Sequence, residues 1–449
     1  MSTRLHVHAA GVERASTTDR AFLAMEVGGG AEQIGVALVL EPGADGLDVA
    51  TVTRLVGERL RAVPRLRQRL VSTTWGCGGP IWVDDARFDV RRHVRHVACP
   101  APGDEQAFLD TVVSVVAEPL PVGAPLWSAA VVTGRADGST SLVVVLHHVL
   151  ADGVGGLAVL AALVDPGGAA PAQPFPRERP TVRGLARDAW RRRLRSPGRL
   201  PWWLRQVRRS FAAAGGVVPP RAAPCSLLRP TGPRRAIGVV DVDGRALRDA
   251  AHRFGATGND ALLAAVTGAL QRVLAGRGEA VDSVVIAVPV SGRRSDDGAS
   301  LGNMVSPMLV TVPTTGDARS RLLAVSSQVK RHRSDASGPP PIALLGGLFR
   351  PLAALGGFRW YMRHQQRLHT LVSHVRGPEE PVHLAGHRVR AAIPVALSES
   401  GNITAYFEVL SYAGTVTVTA IVDPDQLPDL DVLLMGLRDE LDVLAALEP

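Results

Sequence analysis

The chain reads as an α/β protein of the α+β kind, built from two-layer sandwiches. Two observations carry that reading. Apolar runs of strand length recur between segments of helical periodicity along the chain, which a helical bundle would not show. At 449 residues, 46% hydrophobic and 20% charged, the chain is long enough for two to three domain-sized units with buried cores.

The elements follow in order. Residues 35–40 read as a strand. Val49, Val52, Leu55, Val56, Leu60 and Val63 recur at helical spacing, predicting a helix over 49–63. A second helix is predicted over 105–117. Residues 127–134 and 141–147 read as an antiparallel strand pair turning at Asp137-Gly138, and Gly153 to Leu163 as a helix. Residues 166–180 and 214–233 are rich in Pro and Gly and read as linkers. Beyond Pro233 strands are predicted at 236–242, 283–290, 308–313, 388–394, 403–410 and 415–422, with helices at 245–253, 259–275 and 431–446. The organisation expected is a first domain over 1–165, a linker over 166–232 and a second domain over 233–449.

Three cysteines, Cys77, Cys99 and Cys225, show no paired or CxxC spacing. That argues for a reducing compartment and against a disulfide framework or zinc. The N-terminal stretch has no apolar signal region, and no apolar run reaches the roughly 18–20 residues that span a bilayer. The expectation is a cytoplasmic protein, soluble or peripheral. The net charge of +8 is unevenly placed: ten arginines between Arg183 and Arg209 are interleaved with Trp190, Trp202 and Trp203. A solvated helix face is the ordinary reading of such a run. No reader motif accompanies the charge, so nucleic acid is not an expected partner. The reading favoured is an interfacial helix pair, with Arg191, Arg192, Arg193, Arg208 and Arg209 meeting anionic headgroups and Trp202 and Trp203 at the boundary. Residues 342–361 offer a second such surface or a lid.

The chemistry is concentrated after Leu142-Val-Val-Val-Leu146, where His147-His148 is followed by Asp152-Gly153. Alternation sends neighbouring strand side chains to opposite faces, so the two histidines cannot serve one site. One of them is the candidate catalytic group and the other packs. Diverging side chains also rule this pair out as metal ligands. Asp152 is placed to steer the imidazole or anchor its loop, and Gly153 relaxes the backbone entering the helix. Gly153-Val-Gly155-Gly-Leu-Ala158 has the shape of a dinucleotide fingerprint. The second strand ending in an acid that such a site needs is missing, so these glycines read as close helix–sheet packing.

His147-His148-x-x-x-Asp152-Gly153 is the pattern HHxxxDG. Together with Pro125-Leu126-Trp127, Gly258-Asn259-Asp260, Pro289-Val-Ser-Gly-Arg293, Gly302-Asn303 and Ser411-Tyr412-Ala413-Gly414, the chain resembles the bacterial wax ester synthase/diacylglycerol acyltransferase family. That family lies in the chloramphenicol acetyltransferase and condensation-domain superfamily. The resemblance spans about residues 15 to 435. It implies two chloramphenicol-acetyltransferase-like domains forming a pseudo-dimer, with one active site in the tunnel between them. It implies acyl transfer from acyl-CoA to diacylglycerol or a long-chain alcohol with no cofactor, at a membrane or lipid-droplet surface. His148 would act as general base with His147 structural, Asp152 would pair with Arg293 from the other domain, and Asn259, Asp260 and Trp127 would shape the site. Asn259 and Asp260 also fit an N-cap and a first-turn acid, and Trp127 core packing. Three stretches depart from the family pattern: Pro119-Leu120-Pro121, Ser373-His374-Val375-Arg376-Gly377-Pro378, and Gly292 before Arg293. They keep a natural-product acyltransferase, fed by CoA or a carrier protein, as the alternative enzyme. A non-catalytic lipid-binding or droplet protein is the alternative of another class.

Overall fold

The computed structural model describes residues 12–16, 19–20, 22–23, 32–42, 47–121, 123–150, 153–165, 174–194, 222–291, 305–335, 355–398 and 401–448. The first half contributes strands β1 (Gln33–Leu40), β2 (Gln68–Val71), β3 (Ile81–Asp84), β4 (Val94–Ala98), β5 (Trp127–Thr133) and β6 (Ser141–His147). Its helices are α1 (Val49–Arg59), α2 (Glu105–Ala117), α3 (Gly153–Leu163) and α4 (Val182–Leu194). The second half contributes β7 (Ala236–Asp243), β8 (Ser283–Ser291), β9 (Val305–Pro313), β10 (Thr370–Arg376), β11 (His383–Leu384), β12 (His387–Leu397), β13 (Ala405–Tyr412) and β14 (Thr415–Val422). Its helices are α5 (Gly244–Arg253), α6 (Gly258–Gly276), α7 (Ala318–Asp335), α8 (Gly357–His364) and α9 (Leu430–Ala445).

Two six-stranded sheets result, ordered β11-β12-β1-β6-β5-β4 and β7-β14-β13-β10-β8-β9. The first is not built from the first half alone. β12 arrives from late in the chain and pairs antiparallel with β1, Val36 opposite Pro394 and Ile34 opposite Ala396. The other edge of β1 pairs with β6, Val36 opposite Val144 and Ile34 opposite Leu146. The halves are therefore laced by backbone hydrogen bonds as well as packed.

β6 is buried along its whole length. Leu142, Val144 and Leu146 join a core with α1 and α3 on one face, and Val143 and Val145 join a core with α2 on the other. Ile237, Tyr406 and Ile421 of the second sheet complete the latter core, so α2 packs between the sheets. The second sheet's other face carries α5, α6, α7 and α9. α6 is buried from Asp260 to Leu270 without a break, as a helix apolar on all sides must be. At about 1.5–3 kcal/mol for each fully buried Val, Leu or Phe, these three cores hold the two sandwiches together.

Several elements depart from the sequence reading for identifiable reasons. The helix predicted over 49–63 ends at Arg59 and continues as two 3-10 turns, Leu60–Ala62 and Pro64–Arg67. Pro64 lacks the N–H that a continuing α-helix needs. Asp48 caps its start, accepting from the Thr51 N–H at 2.6 Å. α7 and the strands β2, β3, β4 and β10 had no counterpart in the sequence reading. β10 escapes a hydrophobic pattern because Ser373, His374 and Arg376 interrupt it. These side chains line cavities rather than core.

Candidate active site

β6 ends at the site. Its Val144 and Leu146 face the cavity, and His148, the residue just past the strand, continues that even register. The cavity is about 110 Å³ and lies between the sheets. β1 and β12 supply part of the wall, α3 supplies Gly153, Gly156, Leu157 and Leu160, and β10 and β13 bring Ser373, Val375, Glu408 and Leu410. The His148 imidazole stacks on Phe22 at 4.3 Å with an interplanar angle of 10°. Its backbone N–H donates to Glu32 O at 2.8 Å, which fixes the turn leaving the strand.

His147 lies away from this cavity, buried at 4% exposure. Its Nδ1 accepts the Val149 N–H at 2.9 Å, and its carbonyl accepts the Leu150 N–H at 2.9 Å. Accepting at Nδ1 places the proton of the neutral ring on Nε2. His147 is thus built into the turn that presents His148.

Gly153 opens α3. A Cβ there would fall 2.5 Å from Val375 Cγ2, so the glycine permits close approach of α3 to β10. Gly156 packs at ordinary distance, 3.6 Å from Ile34 Cδ1 to its notional Cβ. Asp152 and Arg293 lie outside the described residues, as do Trp202, Trp203, Arg208 and Arg209.

Trp127 is core. It is 2% exposed, its indole Nε1 donates to Leu66 O at 2.7 Å, and His93 stacks on it at 4.6 Å. It stands opposite Leu146 across β5 and β6, behind the cavity wall rather than on it. Asn259 is not the N-cap of α6; Thr257 is. The Thr257 hydroxyl accepts the Asp260 N–H at 3.2 Å, and the Asp260 carboxylate accepts the Thr257 N–H at 2.8 Å, closing a capping box. Asn259 lines a different cavity, of about 630 Å³, shared with His374, Arg376, Arg245 and Ser411. There His374 Nε2 lies 2.8 Å from Ser411 Oγ. Burial, reinforced by the Arg376 charge, pushes the His374 imidazole down to about 4, so it is neutral near pH 7.

Two further polar residues of the His148 cavity escaped the sequence reading of the site. Ser373 and Glu408 are register partners on the parallel strands β10 and β13. Burial pushes the Glu408 carboxyl up to about 8, against the opposing pull of hydrogen bonding from the Ser373 hydroxyl beside it. The one sequence signal for Glu408 is an acid in the otherwise apolar run Ala405-Tyr-Phe-Glu-Val-Leu410.

α4 carries the described part of the basic segment. Its Leu185 and Ala189 are buried, Leu185 in a cluster with Cys77, Ile81 and Val83 around the β2–β3 hairpin. Arg14 pins it through Asp188 at 2.7 Å. Trp190 and Leu194 are 60% and 65% exposed, and Arg191, Arg192 and Arg193 are exposed beside them. α8 exposes Trp360 and Tyr361. No helix among the described residues is long and apolar enough to cross a membrane.

The wax ester synthase/diacylglycerol acyltransferase catalytic domain matches residues 16–262, and the C-terminal domain of the same family matches residues 301–445. A probable diacylglycerol O-acyltransferase, tgs1, of Mycobacterium tuberculosis H37Rv is 29% identical over 430 residues, covering 92% of this chain and 91% of that protein. A putative diacylglycerol O-acyltransferase of the same strain is 30% identical over 440 residues, covering 91% and 92%. Among solved structures, the wax ester synthase/diacylglycerol acyltransferase from Marinobacter aquaeolei VT8 superposes with a TM-score of 0.66 at 21% identity, covering 97% of this chain and 100% of that one. The first condensation domain of the CDA synthetase follows the same fold, with a TM-score of 0.64 at 18% identity and coverage of 98% and 97%. The two sandwiches laced through β12 thus follow the fold of these solved structures, and the chain belongs to the wax ester synthase/diacylglycerol acyltransferase family of acyltransferases.

Proposed function

We propose that this chain moves a fatty acyl group from acyl-CoA to an alcohol, giving triacylglycerol from diacylglycerol or a wax ester from a long-chain alcohol. The observation that carries the reading is His148 on the cavity-facing register of β6, in an apolar pocket between the sheets. The relatives' names supply the acceptor class.

In this mechanism His148 removes the hydroxyl proton as the acceptor oxygen attacks the thioester carbonyl. A C–O bond forms and the carbonyl becomes a tetrahedral oxyanion. Collapse breaks the C–S bond, and the imidazolium returns its proton to the leaving thiolate. A thioester is already activated, so the scheme uses no covalent intermediate and no cofactor. A positioned base contributes roughly 10²–10⁴-fold. His147 acts as a positioning residue through the turn it closes. Asp152 and Arg293 are assigned to brace that turn as an inter-domain ion pair.

The apolar substrates favour work at a lipid surface. Trp190, Leu194 and Arg191–Arg193 of α4, with Trp360 and Tyr361 of α8, supply the aromatic and cationic side chains that such a surface takes. We assign the protein to the cytoplasmic face of the membrane or to lipid droplets on this ground. The deciding experiment incubates purified protein with labelled long-chain acyl-CoA and a panel of alcohols, and identifies the products. A neutral lipid ester formed by the parent and reduced at least about a hundredfold in His148→Ala supports the reading. Labelled product on neither diacylglycerol nor alkanol refutes it.

A further inference from the structure

An acid in an acyl pocket is costly unless something uses it, and Glu408 is such an acid. Among the described side chains lining the His148 cavity, only His148, Ser373 and Glu408 are polar; the rest are aliphatic, proline or glycine. None of these described lining residues is a lysine or arginine that would balance a carboxylate. The even face of β13, which carries Glu408, is directed at the first domain: Tyr406 and Leu410 on either side belong to cores shared with it. Tyr406 spends its own proton on Ala396 O, 2.9 Å away, and leaves Glu408 to Ser373. Burial favours the protonated Glu408 carboxyl near pH 7. With the Ser373 hydroxyl on its acceptor oxygen, what it offers to the cavity is an O–H donor.

An alkyl chain laid against this group leaves that donor unpaired, and a buried polar group left unpaired is penalised. A molecule carrying a second oxygen near its reacting hydroxyl would satisfy it. Because His148 and Glu408 share one cavity of about 110 Å³, a hydroxyl at the base and a neighbouring oxygen at the acid fit one small molecule fragment. We infer that Glu408 is a specificity-determining residue for the acceptor, recognising an ester carbonyl or second hydroxyl close to the reacting hydroxyl. The cavity accordingly prefers a partial glyceride to a plain alkanol. This inference rests on the acyl-transfer reading above.

The test compares kcat/KM for a diacylglycerol and for 1-hexadecanol, at saturating labelled palmitoyl-CoA, in the parent, Glu408→Gln and Glu408→Leu. The Leu variant should lose roughly tenfold in the glyceride-to-alkanol ratio, the scale of one hydrogen bond left unmade, mostly through KM for the glyceride. The Gln variant, whose amide also donates and accepts, should keep the ratio. A second measurement uses the parent alone: 1,2-hexadecanediol should outcompete 1-hexadecanol by a similar factor. An unchanged ratio in Glu408→Leu, an equal loss in both variants, or equal use of diol and alkanol overturns the inference while leaving acyl transfer standing. A parent that acylates neither alcohol overturns acyl transfer and this inference with it.

Discussion

Replacing Gly153 by alanine tests whether the motif glycine is there for the contact between the two domains. A Cβ at this position would sit 2.5 Å from Val375 Cγ2, whereas carbon atoms rest about 3.5–4.0 Å apart. The overlap is therefore about 1 Å or more. Val375 is β-branched, with few rotamers into which it can retreat. Two effects oppose each other. Alanine favours the helical state over glycine by up to about 1 kcal/mol, and less at a first helical position. Forcing an extra methyl into a packed contact costs about 1–3 kcal/mol. The clash should win, leaving Gly153→Ala destabilised by roughly 1–2 kcal/mol. Because Val375 lines the His148 cavity, acyl transfer should fall as well. Denaturant unfolding and turnover of Gly153→Ala, Val375→Ala and the double variant give the coupling energy. Val375→Ala opens room for the new methyl, so the double variant should be no less stable than Val375→Ala alone. Strict additivity of the two changes, or a Gly153→Ala protein as stable and active as the parent, would refute the close-approach argument.

Three further outcomes follow from the geometry. His148→Ala should lose at least about a hundredfold in turnover with its melting temperature near the parent's, while His147→Ala should lose about 1–3 kcal/mol of stability by stranding the Val149 N–H; the reverse pattern would exchange their roles. His374 is held neutral down to about pH 4, below the ordinary 6.5, so the unfolded chain takes up its proton first on acidification. Stability should fall between those pH values at up to about 1.4 kcal/mol per unit, and melting curves of His374→Asn, which cannot titrate, should show a shallower acid loss. Changing Arg191, Arg192 and Arg193 to Gln should weaken flotation with anionic vesicles, most visibly at low salt, while acylation of a soluble short-chain alcohol persists; undiminished flotation would shift attachment away from α4.

The motif and the apolar runs around it made much of this molecule readable from residue order alone. Helix α3 and strand β6 were readable to the residue, because each is a continuous apolar run bounded by polar and turn residues. Alternation along β6 also separates His147 from His148, and in the structure one closes a turn while the other faces the cavity. What the local pattern could not carry is pairing between distant segments. β12 joins the first sheet from about 350 residues away because its register with β1 is long-range. Asn259 and Trp127 sit in recognisable motifs, yet one lines a second cavity and the other lies in the core. Motif membership does not state which face a side chain meets after packing. Glu408 is the clearest case. In sequence it is a single acid in an apolar strand; only when β13 pairs with β10 and its even face meets the first domain does it become a carboxyl lining the same cavity as His148. Sequence period decides which residues share a face, and the tertiary fold decides what that face is pressed against, because burial and electrostatic environment arise from residues far apart in the chain.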